Sequence, residues 1–146
     1  PVDAIMTIGW NAEMLNIYVL VFGTVLCATA CIEIIIPSKM IAFWRIWISH
    51  RLFFLHGAFL ILVGIPLTCY SHHLTGRLVT AIGLLIVFTG PFVLFYSERI
   101  SSMILSIMEE TRQSGKRSLI YIDSALRLIV GILFIYSALS YGQTII

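Results

Sequence analysis

The chain has 146 residues, 60% of them hydrophobic and only 11% charged, and its mean hydropathy is +1.02. Soluble domains carry roughly 25% charged residues, so a chain this short and apolar lacks the polar surface to stay in water, and a bilayer is its natural solvent. The formal net charge of +2 gives no basis for nucleic-acid binding.

The first sixteen residues contain no Lys or Arg and carry Asp3 and Glu13, which is not the flank of a cleavable secretory signal. Trp10 suits a headgroup-level aromatic belt. Asn11 is placed to cap a helix, with Glu13 in its first turn. A first membrane span is expected over Ile17–Ile36, near the ~20 residues that cross the hydrocarbon core. Pro37, which lacks an amide hydrogen, should end or kink it. Cys27 and Cys31 lie inside this span. With Cys69 they form no CxxC or Cys/His metal spacing, and they read as buried membrane thiols.

Residues 37–51, PSKMIAFWRIWISHR, place Met40, Phe43, Trp44 and Trp47 on a helical stripe flanked by Lys39, Arg45 and Arg51. Cations beside paired tryptophans describe a helix lying in the membrane interface. A second span is expected over Leu52–Tyr70, with Pro66 near its far end. The short polar hairpin Ser71–Arg77 then makes spans two and three antiparallel neighbours. His72 and His73 in that hairpin read as a solvated turn. Span three is expected over Leu78–Ser97. Beyond it, residues 98–118 carry Ile100, Met103, Ile104, Ile107 and Met108 at helical spacing, a second amphipathic helix. The stretch RQSGKR (Arg112–Arg117) forms a charged turn, and span four covers Leu119–Leu139.

The spans repeat. Leu20–Lys39 is echoed sixty residues later by Thr80–Arg99, with Gly23 on Gly83, Thr29-Ala30 on Thr89-Gly90, Pro37 on Ser97 and Lys39 on Arg99. The chain therefore reads as a single membrane domain, 1–146, made of two parallel helix–basic loop–helix copies (about 17–70 and 78–139). The expected fold is an all-α bundle of four transmembrane helices. Gly23, Gly57, Gly64, Gly83, Gly90 and Gly131 are its candidate helix-packing positions. Trp44, Trp47, Arg45, Met103 and Ile107 are candidate interfacial residues. Loop one holds three cations and the loop between spans three and four holds four, while the middle hairpin holds only Arg77. The positive-inside rule then puts both long loops in the cytoplasm and both termini outside.

Gly23, Pro37-Ser38-Lys39, Trp44-Arg45, Gly57 and Gly64 in copy one, and Gly83, Arg99, Arg127 and Gly131 in copy two, give the unit a pattern that resembles the small two-helix bacterial inner-membrane proteins of the YjeT type. Thr29-Ala30 and Thr89-Gly90 stand where that family has a Glu-Gly pair, and the second copy's loop is longer by about fourteen residues. The resemblance implies a two-span unit with basic loops inside, in a bacterial inner membrane. It implies no activity.

Ionisable residues within the hydrocarbon are costly and therefore candidates for function. Glu33, His56, Asp123 and Arg127 qualify, and all fall on the cytoplasmic half. Asp123 and Arg127 stand at i, i+4, the spacing of a local ion pair with Arg127 snorkelling. Two sharper readings are that Glu33 reaches Arg127 across the bundle, or that Glu33, His56 and Asp123 form a proton or ion path. His56 could also touch quinone or ligate haem, although no second histidine lies at matching depth. No GxSxG, GxxxxGK[ST] or HExxH motif is present. The expected function is non-enzymatic and cofactor-free: a small accessory subunit whose partners are the bilayer and a larger membrane complex, or a self-oligomer. The alternatives are a small transporter or proton-conducting subunit, and an electron-transfer anchor near His56.

Overall fold

The computed structural model describes residues 11–70, 74–113 and 118–142, and all of its elements are helices. In chain order they are α1 (Ala12–Ile35), α2 (Pro37–Ser49), a 3-10 turn (Arg51–Phe53), α3 (Phe54–Thr68), α4 (Leu74–Phe95), α5 (Ser97–Gln113) and α6 (Ser118–Gly142). Four stretches are long and apolar enough to cross a membrane: Ala12–Ile35, Arg51–Thr68, Thr75–Phe95 and Ile120–Ser140. The lead-in with Trp10, the His72–His73 turn, residues 114–117 of the charged turn and residues 143–146 lie outside the described residues.

Local chemistry sets the boundaries. Asn11 caps α1, its Oδ1 accepting from Met14 N at 2.8 Å. The helix starts five residues earlier than hydropathy alone places the span, because Asn11 and Glu13 favour an N-terminus there. Pro37 forces the break at Ile36, which leaves helical geometry (φ −129°, ψ 58°), and Pro37 then starts α2 as a first-turn residue. The chain bends in the same way at Tyr96, without a proline. The backbone bonds match across the two bends. Ile36 N donates to Ile32 O and Met40 N to Ile36 O, while Tyr96 N donates to Phe92 O and Ile100 N to Tyr96 O. The turn before span three is shorter than the hairpin read from polarity, since Leu74–Arg77 already belong to α4.

The long helices pack as two tight pairs, α1 with α6 and α3 with α4. Glycine lets the backbones meet. A Cβ on Gly57 would lie 2.5 Å from Gly90 O, and one on Gly64 3.1 Å from Gly83 O. Those contacts run 57 to 90 and 64 to 83, so α3 and α4 are antiparallel neighbours, as the short connection predicts. In the other pair a Cβ on Gly23 would lie 2.8 Å from Gly131 O. All six candidate packing glycines are therefore spent inside the chain.

Two apolar clusters hold the pairs together. Leu15, Val19, Leu67, Tyr70, Val79, Phe134 and Ala138 form one, drawing on all four long helices and the end of α3. The other, toward α2 and α5, joins Ile48, Phe53 and Val93 to Trp44, Leu60, Ile100, Ile104, Leu105 and Met108. The α2 stripe thus divides between two directions. Trp44 and Ile48 face the bundle, while Phe43, Ile46 and Trp47 face out.

Candidate functional site: the Glu33 ion network

Glu33 sits in the last turn of α1, two residues before its end, and is 2% exposed. A carboxylate so placed must have its charge compensated and its oxygens bonded, and three donors do this. Arg127 NH1 of α6 reaches Oε1 at 2.8 Å, and Trp44 Nε1 of α2 donates to the same oxygen at 2.9 Å. Ser124 Oγ of α6, itself fully buried, donates to Oε2 at 3.1 Å. No buried side-chain nitrogen or oxygen among the described residues lacks a partner.

Arg127 carries a second contact, NH2 to Asp123 Oδ2 at 2.6 Å, one turn back on its own helix. Its guanidinium also lies over the Trp44 ring, 5.3 Å from the centroid. The local pair and the cross-bundle pair read from the sequence as alternatives therefore coexist on one guanidinium, each nitrogen serving one carboxylate. Exposure grades outward, from Glu33 at 3% of its side chain through Arg127 at 27% to Asp123 at 51%.

His56 is not part of this network. Its ring stacks on Phe53 (centroids 5.8 Å apart), lies nearly parallel to that of Phe59 and meets Trp47 edge-on. The α2 and α5 helices are joined by Arg45 NH2 to Glu109 Oε2 at 3.1 Å, between side chains 51% and 37% exposed. Met103 and Ile107 lie on the exposed side of α5.

Sequence reasoning missed several partners. Ser124 lies three residues before Arg127 and so shares its helix face, a spacing that could have been read. The Trp44 indole, a candidate interfacial group, turns back onto α1 through the bend at Ile36, for which Pro37 is the sequence signal. At the opposite end of the bundle a neutral network also went unread. The Tyr70 hydroxyl meets Asn16 Oδ1 and donates to Ser137 O, both at 3.1 Å. The Tyr18 hydroxyl donates to Val63 O at 2.8 Å, and Thr80 Oγ1 donates to Tyr70 O. Asn16 falls just before the span expected from Ile17, and the early start of α1 places it on the helix.

No group of three His, Cys, Asp or Glu residues among the described residues is placed to hold a metal ion. Comparison with known proteins gave no match: no protein-family model, no curated protein and no solved structure is similar to this chain.

Proposed function

We propose that the chain is a structural component of a membrane assembly, a small accessory subunit that packs against a larger complex or against copies of itself. The state of Glu33 carries this reading. A conducting carboxylate must exchange its partner for an ion or a proton, whereas Glu33 is closed off by Arg127, Trp44 and Ser124 together. Two turns or so further along the same helix pair, Gly23 meets Gly131 backbone to backbone, with Cys27 and Phe134 filling the space beside them. The network is thus built to fasten α1, α2 and α6 to one another.

With the glycines used internally, a partner must take other surfaces. Phe88, Phe92 and Phe95 stand at i, i+4 and i+7 on α4 and are 67%, 62% and 78% exposed. Aromatic side chains at this spacing form one helix face and supply large contact area. Gentle extraction from the native membrane tests the reading. A particle heavier than one chain is expected, and Phe88→Ala/Phe92→Ala should loosen it without lowering the melting temperature of the chain. A stable monomer with no co-purifying protein overturns the proposal. Ion or proton flux in liposomes that is lost in Glu33→Gln or Asp123→Asn would install the transporter in its place.

The finer architecture we infer is a parallel duplication in a bacterial inner membrane. It has both termini outside, and α2 and α5 lie in the cytoplasmic interface. Neighbours at the glycine contacts support the duplication. A Cβ on Gly23 would meet Phe134 and Ile135, and one on Gly83, sixty residues later, would meet Leu67 and Thr68. A Cβ on Gly131 would meet Cys27 and Gly23 O, and one on Gly64 would meet Val87 and Gly83 O. Cys27 and Val87 are again sixty apart, while Leu67 to Phe134, Thr68 to Ile135 and Gly64 to Gly131 are each sixty-seven apart. This matching makes the second loop seven residues longer than the first, where aligning Gly57 with Gly131 makes it fourteen. In it, the first span of each copy pairs with the second span of the other.

A further inference from the structure

We propose that the groove between α2 and the start of α3 is a binding site for one anionic phospholipid, its acyl chain in the groove and its phosphate at Arg51. The groove is open, about 210 Å³ in volume, and lined by Phe43, Ile46, Trp47, His50, Leu52 and Leu55. Five of the six are large apolar side chains between 43% and 69% exposed. It covers about two turns of α2 and stops at the His50 corner, too short to seat a partner helix along its length but long enough for part of one acyl chain. Leu55 continues onto the apolar surface of a membrane-spanning helix, so the groove opens toward hydrocarbon on that side.

The groove itself is apolar, and the chain at its His50 corner supplies the polar groups. His50 adopts extended geometry and its Nδ1 accepts from Leu52 N at 3.2 Å, which fixes the corner. In the neutral ring the remaining proton is then on Nε2, a donor. Arg51 lies between two lining residues, is exposed, and pairs with no carboxylate among the described residues. The neighbouring Arg45 is committed to Glu109. A guanidinium on the residue next to an imidazole donor suits a phosphodiester, and a headgroup-level cation is attracted to anionic lipid.

The equivalent face of α5 provides an internal control. Sixty residues after Phe43, Ile46, Trp47 and His50 stand Met103, Ser106, Ile107 and Glu110. The second helix thus has Ser106 where the first has Ile46, and it runs on through Glu110 to Gln113, so no corner stands where His50 ends the first. The groove chemistry is confined to one helix of the two, which separates it from generic interfacial amphipathicity.

The site depends on α2 lying in the membrane interface but not on any protein partner. Its test is native mass spectrometry of the full-length, delipidated chain titrated with phosphatidylglycerol or phosphatidylcholine. Wild type should retain one phosphatidylglycerol, with at least tenfold preference over phosphatidylcholine. Arg51→Gln should abolish that preference, and Leu55→Trp, which fills the groove from an exposed position, should lower retention of either lipid about tenfold. A photo-crosslinking side chain at Ile46 should label lipid in native membranes. Equal retention of the two lipids, unchanged retention in either variant, displacement by inorganic phosphate alone, or a crosslink to protein at Ile46 overturns the proposal. Loss of a co-purifying partner with lipid retained would count against the accessory-subunit reading alone.

Discussion

At the end of the bundle nearest α2 and α5, the two helix pairs solve one packing problem differently. Gly57 of α3 lies against Gly90 of α4, and a Cβ on Gly57 would come within 2.7 Å of Leu94 N as well. Val93, sixty residues after Glu33, is buried there among apolar neighbours. In α1 and α6 the positions that the proposed duplication matches to Gly90 and Gly57 are Ala30 and Ser124, both fully buried, and Glu33, Ser124 and Arg127 stand where the other pair has apolar filling. Where two glycines let the backbones touch, dispersion holds the helices. Where each position carries a side chain, a hydrogen-bonded ion pair does. In hydrocarbon neither pair is driven together by the hydrophobic effect, so contact density and polar satisfaction are the available means.

The largest expected effect comes from breaking the ionic side of that comparison. Arg127→Ala leaves Glu33 buried with two neutral donors, and an uncompensated buried charge costs about 3–5 kcal/mol. Thermal unfolding in mild detergent should show it. Converting the site to its counterpart with Glu33→Val, Ser124→Gly and Arg127→Leu together should recover most of that loss, because apolar replacement of a whole buried ion pair is often neutral or stabilising. If the triple variant is no more stable than Arg127→Ala, the two pairs are not interchangeable solutions.

Next in size is the glycine side. Gly57→Ala drives a methyl into backbone atoms of α4, so the helices must separate, with a cost of about 2–3 kcal/mol. Gly23→Ala meets Gly131 O at 2.8 Å and Phe134 Cβ at 2.9 Å, a slightly wider fit. It should cost less, by about 1 kcal/mol. Equal melting temperatures for the two variants would contradict the difference in backbone spacing.

These two packing modes were unequally legible in the sequence. Hydropathy placed four spans, and the glycines stood out because small residues in apolar runs have few other uses. Depth counting put Glu33, Asp123 and Arg127 in one layer, since 1.5 Å of rise per residue is the same for every helix. Which helices pair could not be counted. Gly23 facing Gly131 across more than a hundred residues depends on how four cylinders assemble, and a glycine carries no address. His56 shared the layer but lies on a face that turns toward Phe53, Phe59 and Trp47. Depth alone says nothing of rotation about the helix axis.

Trp44→Phe sharpens the comparison from the side of α2. It keeps the ring beneath Arg127 but removes the N–H that Glu33 accepts, while Arg127 still holds the same oxygen. A hydrogen bond to a charged acceptor contributes about 1.5–3 kcal/mol, and the lower figure is expected because the ion pair survives. Hydrogen exchange should rise in α2 more than in α1 or α6. Exchange that rises equally in all three would mean that the indole supports the whole network rather than latching the short helix to it.

The smallest effect is expected at Arg45 and Glu109, an exposed ion pair that joins α2 to α5. It resembles the Glu33 pair in chemistry and differs in setting. With side chains 51% and 37% exposed, both charges keep most of their solvation, and exposed pairs contribute about 0.2–1 kcal/mol. Arg45→Gln should therefore shift stability by less than about 0.5 kcal/mol, and added salt should erase even that. The same Arg–carboxylate contact would then span nearly the full range of ion-pair effects within one small chain, graded by burial. A loss at Arg45 comparable to that at Arg127 would place the α2–α5 surface in a much drier setting, such as one covered by a partner subunit.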